Sequence, residues 1–147
     1  MYVKQISVFI ENAPGKLADF TRMLGEKGID LVSLSIADTT SFGILRGIVA
    51  DWEKASKLIE EAGYTVCLTD VLAVEVPDRP GGLQGILQVL SGADVNVEYM
   101  YAFVTRKTEK AVVIFRFEDA DEALAALKAA DVSVLDAATV HELCAMG

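Results

Sequence analysis

The tetrapeptide Asn12-Ala13-Pro14-Gly15 returns as Asp78-Arg79-Pro80-Gly81, each time between a β-like apolar run and an amphipathic helical pattern. A turn that recurs in matching context divides the chain into two copies of one unit, and no other feature limits the fold as strongly. The chemistry of the turn is specific. Pro fixes φ and lacks an N–H, which suits the first turn of a helix, and Gly admits close backbone approach and left-handed dihedrals.

Reading outward from the first turn, Val3 to Glu11 is rich in β-branched and apolar residues and predicts a strand. After Gly15 a helix carries Leu17, Phe20 and Leu24 on one stripe and stops at Gly28. Strands over Ile29–Asp38 and Phe42–Ala50 follow, joined by the polar turn Asp38-Thr39-Thr40-Ser41. Asp51 caps the next helix, lined by Ala55, Leu58, Ile59 and Ala62, and Tyr64–Leu68 makes a fourth strand. The second copy repeats the order: strand Val71–Val76, a helix with Leu83, Ile86, Leu87 and Leu90, strands Val95–Thr105 and Ala111–Phe117. Asp119 and Glu122 then have capping-box spacing before a helix lined by Ala123, Leu124, Leu127 and Ala130, and Val132–Leu135 closes the unit. Asn12 and Asp78, like Asp30 and Asn96, stand 66 residues apart.

The fold class is therefore α+β, two ferredoxin-like βαββαβ units packed side by side, over residues 1–69 and 70–147. In that topology the second strand is a sheet edge, and an apolar edge has to be paired or covered. Simple alternation puts Val32, Leu34 and Ile36 on the face opposite Ile29 and Leu31. The expected remedy is edge-to-edge pairing of the two second strands within the chain. Val112-Val113-Ile114-Phe115 is apolar on both faces, as in a strand covered on both sides. Residues 136–147 exceed the repeat, with Ala137–Leu143 expected as an added strand or cap.

Charge and cysteine content exclude several functions. A formal charge of -9 with thirteen scattered Lys and Arg opposes nucleic-acid binding. There is no signal-like N-terminus and no apolar run of about 18 residues, so a cytoplasmic protein without membrane association is expected. Two distant cysteines and one histidine, His141, make neither a disulfide framework nor a metal site, and no cofactor is expected. Cys67, inside Tyr64–Leu68, is expected to be a buried small hydrophobe and His141 a surface or edge residue.

The two turns have binding chemistry. The N–H groups of Gly15, Lys16 and Leu17, and of Gly81, Gly82 and Leu83, are expected to be free at helix N-termini, where a carboxylate or phosphate is held. Asn12 and Asp78 either cap the helix or turn outward to meet an ammonium or hydroxyl. Asp30 and Asn96 begin the second strands as polar residues between apolar neighbours. An anion site and an ammonium site together describe a free amino acid. Tyr99, Met100 and Tyr101 are either a wall for its side chain or core residues at strand period, alongside Val95, Val97 and Phe103. On spacing alone a capped turn with no ligand is the better explanation, because Asx-x-Pro-Gly turns are common.

The segments Glu11-Asn12-Ala13-Pro14-Gly15-Lys16-Leu17 with Gly28-Ile29-Asp30-Leu31, and Pro77-Asp78-Arg79-Pro80-Gly81-Gly82-Leu83 with Val95-Asn96-Val97, resemble ACT domains. The resemblance covers nearly the whole chain, as a tandem pair, and the second copy is the more typical. It implies an amino-acid effector held between ACT units, by the first strand-to-helix loop of one and the second strand of its neighbour. By position that implicates Asn12, Gly15, Leu17 and Asp30, and Asp78, Arg79, Gly81, Leu83 and Asn96. Family members that bind serine carry Asn at both positions held here by Asp30 and Asn96, so the two sites need not be equal, and the second is the expected working one.

The expected function is a non-catalytic amino-acid sensor, with ligand between its two ACT repeats and output in trans to an enzyme of amino-acid metabolism, as a homodimer. No catalytic residues stand out: only Arg79 lies in a loop suited to cradling phosphate, and no base-paired Ser, Cys or His is recognisable. A small ferredoxin-like enzyme and a ligand-free oligomerisation module are the alternatives.

Overall fold

A computed structural model of the chain describes residues 2–38, 41–103 and 110–145. The element order is β1 (Val3–Glu11), α1 (Lys16–Glu26), β2 (Leu31–Asp38), β3 (Phe42–Val49), α2 (Trp52–Glu61) and β4 (Val66–Pro77). It continues with α3 (Gly82–Gly92), β5 (Val97–Phe103), β6 (Lys110–Phe117), α4 (Ala120–Ala129), β7 (Val134–Leu135) and α5 (Ala137–Ala145). The βαββαβ order is thus present twice, and the fold is α+β. Thr39, Thr40, Val104 and Thr105, placed in a turn and a strand by the sequence reading, lie outside the described residues.

By contacts the chain forms two compact units, residues 4–69 and residues 1–3 with 70–147. In the first, strand order is β2-β3-β1-β4; in the second, β4 pairs with both β6 and β7, and β6 with β5. Each is the 4-1-3-2 order of the ferredoxin-like arrangement. The two strands expected over Tyr64–Leu68 and Val71–Val76 are one strand, β4. Thr69 and Asp70 join them without a Gly or Pro, so nothing between them turns the chain.

Both helices of each unit cover one face of its sheet. In the first unit Ile6, Val8 and Ile10 of β1 and Leu45 and Val49 of β3 pack with Phe20, Leu24, Ala55 and Ile59 from α1 and α2. Phe20 is fully buried, and its ring meets Tyr64 edge-on at 5.0 Å between centroids. The second unit repeats this with Leu72, Val74, Val76, Val113, Phe115 and Phe117 against Ile86, Leu90, Ala123 and Leu127. Each such Val, Leu, Ile or Phe side chain, removed from water, contributes about 1.5–3 kcal/mol, so the alternate positions of β1, β3, β4 and β6 hold much of the fold together. The opposite face of β6 is closed as well: Val112 and Ile114 are buried along with Ala73 of β4, as the doubly apolar run requires.

Two expectations fail at the edge strands. The pairing recorded for β2 is with β3 and that for β5 with β6, so the edge-to-edge join of the second strands is not found among the described residues. Nor does β2 alternate simply. A bulge between Leu31 and Ser33 shifts the register, so that Leu34 and Ile36 share the helix-side face with Leu31. The same bulge recurs between Val97 and Tyr99 of β5, turning Tyr99 and Tyr101 to the face away from the helices while Val97 and Met100 stay on theirs. Ser33, next to its bulge, is buried with a hydroxyl that has no hydrogen-bond partner among the described residues. Cys67, expected inside, is exposed on the first half of β4. The residues after Asp136 form α5, a helix rather than a strand, with Val140 fully buried.

Candidate functional site

Both turns are built from short backbone loops. Asn12 N–H donates to the Ser41 carbonyl at 3.0 Å and Ala13 N–H to the Glu11 carbonyl at 2.9 Å. In the second unit Arg79 N–H donates to the Pro77 carbonyl at 2.9 Å. Gly15 and Gly81, each at φ 85, then swing the chain into α1 and α3. They are the N-cap residues, with no side-chain cap hydrogen bond, so neither Asn12 nor Asp78 caps its helix. The expectation of three free donors per turn also narrows. Lys16 N–H is used by the Ala13 carbonyl at 3.3 Å and Gly82 N–H by the Arg79 carbonyl at 3.0 Å. Helix geometry leaves the next pair, Leu17 and Ala18 or Leu83 and Gln84, without an i−4 carbonyl, and these face the positive end of the helix dipole.

Each turn borders its own cavity. The first, about 280 Å³, is lined by Ile10, Asn12, Ala13, Leu17, Ile36 and Gly43, with Glu11 at its rim. A Cβ on Gly43 would come within 3.3 Å of the Ile36 side chain, so β2 and β3 close tightly over this floor. Glu11 pairs with Lys16 at 3.6 Å. The second cavity, about 600 Å³, is bordered by Pro77, Asp78, Arg79 and Lys110. Lys110 was not among the residues expected from sequence. Its only signal was positional, because β6 starts there and pairs Lys110 with Pro77 beside the turn.

The other half of each expected site lies elsewhere in its unit. Asp30, exposed, follows Gly28 at the far end of α1, an 11-residue helix about 16 Å long. Asn96, also exposed, follows Asp94 at φ 58 beyond the far end of α3. Within a unit the fold therefore gathers Asn12 and Leu17, or Asp78 and Arg79, but brings neither Asp30 nor Asn96 to them. Asn96 instead borders a hollow of about 700 Å³ with Asp70, Asp94, Arg116, Glu118 and Asp119. There Arg116 pairs with Glu98 at 3.5 Å and donates to the Phe117 carbonyl, and Tyr2 donates to Asp121. Gly15 and Gly81 are the N-cap residues of α1 and α3, and Leu83, unlike its counterpart Leu17, is not among the described residues bordering its turn's cavity. Tyr99 and Tyr101, half-buried on the helix-free face, border neither turn cavity among the described residues. No group of three or more His, Cys, Asp or Glu among the described residues is placed to hold a metal, and no helix there is long and apolar enough to cross a membrane.

A doubled βαββαβ unit with these turns meets a family model described as an ACT domain pair over residues 1–144. The chain belongs to the ACT domain family. Its fold is shared with a crystal structure of a Bacteroides thetaiotaomicron protein at TM-score 0.89 and 38% identity, over 95% of this chain and 96% of that one. The regulatory subunits of aspartate kinase from Thermus thermophilus (ligand-free form) and Thermus flavus match at TM-scores 0.62 and 0.59, with 22% and 20% identity. Each of those alignments covers 86% of this chain and 91% of the subunit, and at that identity the likeness is one of fold. Among curated proteins no sequence match is found.

Proposed function

We propose that this ACT pair is a non-catalytic sensor of a free amino acid that modulates an enzyme of amino-acid metabolism in trans, in the cytoplasm. The observation that carries the reading is that each Asx-x-Pro-Gly turn borders a cavity of its own, through Asn12 and Ala13 in one repeat and Asp78 and Arg79 in the other. In each, the ligand carboxylate meets the helix N–H groups after Gly15 or Gly81, and the ammonium meets Asn12 or Asp78. Leu17 or Leu83 contacts its side chain. Asp30 and Asn96 serve as the second half of the pocket of a neighbouring ACT unit, since neither reaches the turn of its own. The functional repeats are residues 1–69 and 70–147, and a homodimer supplies further neighbours. The regulatory subunits of aspartate kinase with this fold support a regulatory output. Such an output requires the effector to favour one of two states of the assembly.

Isothermal titration of the full chain against the twenty amino acids tests this. Binding of at least one at millimolar or lower concentration, weakened by Asp78→Ala or Asn12→Ala, is the expected result. Absence of binding by all twenty overturns the sensor reading in favour of a ligand-free module.

A further inference from the structure

The two turns differ in charge at matching positions of sequence and strand register. Glu11 pairs with Phe42 across β1 and β3 beside the first turn, and Pro77 pairs with Lys110 across β4 and β6, both bordering the second cavity. Within the turn itself, Ala13 of the first repeat is matched by Arg79 of the second. Thus at the same places the first repeat has an acid, an apolar ring and a methyl, and the second has a proline and two cations. Asp78 adds one carboxylate, so among the described residues the second cavity is bordered by one acid and two bases, in a chain of formal charge -9.

One cationic and two anionic groups on a ligand are what such a border complements. We propose that the second repeat selects a dicarboxylic amino acid: its ammonium at Asp78, its α-carboxylate at Arg79 and the N–H groups of Leu83 and Gln84, its side-chain carboxylate at Lys110. The inference rests on the sensor reading and names the ligand class of that site. Two competing effects have to be smaller than this attraction. Lys110 already pairs with Glu75, but at 3.6 Å and over half exposed, an interaction of the weak surface kind that a ligand carboxylate displaces. The negative charge of the whole chain repels anions, yet beyond about 8 Å it is screened at physiological ionic strength, which leaves the local cations in control. Ala13 and Phe42 give the first repeat no such preference, and its floor of Ile10, Leu17 and Ile36 suits an uncharged side chain.

Titration of the full chain with L-aspartate and L-glutamate against their isosteric amides L-asparagine and L-glutamine separates charge from shape. The acid of one pair is expected to bind at least about tenfold tighter than its amide, a preference that shrinks with added salt, because a charge-assisted hydrogen bond is worth about that factor more than a neutral one. Arg79→Ala and Lys110→Phe, which install the first repeat's residues at exposed positions, are expected to bring the preference below about threefold with unchanged thermal melting of the free protein. Equal binding of acid and amide, or a preference that survives both substitutions, overturns the assignment and leaves the sensor standing. No binding by any of the twenty amino acids overturns both.

Discussion

Gly82 rests on the Pro77 carbonyl: a Cβ built on Gly82 would lie 2.0 Å from that oxygen. The first residue of α3 is therefore locked to the last residue of β4, and the turn between them is drawn in over the strand end. The first repeat has Lys16 at the matching place and a looser turn, with its closing hydrogen bond at 3.3 Å rather than 3.0 Å. Gly82→Ala should accordingly cost about 2 kcal/mol or more, because backbone has to move to admit the methyl group. Gly81→Ala meets no atom within 4 Å and should cost only about 1–2 kcal/mol for its left-handed backbone. Urea unfolding of the two variants checks the order; a Gly82→Ala protein as stable as the parent would contradict the contact.

Asp51 and Asp119 cap equivalent helices in the two repeats. The Asp51 carboxylate accepts Lys54 N–H at 3.1 Å and the Asp119 carboxylate accepts Glu122 N–H at 3.0 Å. Replacing either by Ala should cost about 1 kcal/mol, while Asn or Ser should restore most of it, since the acceptor is what matters. Thermal unfolding of the six single variants measures this. Equal loss with Ala and Asn would mean that charge near the helix end, not the cap, supplies the stability.

These caps were readable because they depend on neighbours three residues apart, as were the two Pro-Gly turns and the stripes through Phe20 or Ile86. What escaped sequence reading depends on register. Nothing in Leu31-Val32-Ser33-Leu34 announces a bulge, yet that bulge puts Leu34 beside Leu31 on the helix face and, in its second copy, parts Tyr99 from Val97. Cys67 follows apolar residues and still faces outward, because β4 is long enough that its two halves meet different surroundings. Lys110 could not be linked to Asp78 before the β4–β6 ladder placed it beside Pro77. The halves of the proposed site were legible as residue types, and so was their placement at opposite ends of the first helix of each repeat, because the helical stripe between them is continuous in sequence.

The bulge leaves Leu34 and Ile36, each 47% exposed, on an edge strand without Lys, Arg or Pro. Natural edges of this kind are blunted or paired, and the proposed homodimer pairs them. Leu34→Lys with Ile36→Lys should convert the dimer to monomer in sedimentation velocity at tens of micromolar, with its circular dichroism retained. If the unsubstituted chain already sediments as a monomer at that concentration, this edge is not a dimer contact.

Asp136, just before α5, ties down the start of the helix that carries the buried Val140. Its carboxylate accepts Thr139 N–H at 2.8 Å, and Val140 N–H bonds to the Asp136 carbonyl at 3.1 Å. The Thr139 side chain first, and the Thr139 N–H second, hold the Asp136 carboxyl below the usual carboxylate range, against a smaller opposing effect of burial. A native pKa below the unfolded one means the link is fully present above the unfolded value, near 4, and is lost as pH falls through the lower native value. The Thr139 amide should therefore stay protected at neutral pH and lose protection in α5 only below about pH 4. Asp136→Asn keeps the acceptor but removes the titration, so its Thr139 amide should show no such step. Hydrogen exchange and amide chemical shifts of Thr139 between neutral pH and acid test this; a midpoint at or above the ordinary aspartate value would show that the hydrogen bonds do not stabilise the charged form.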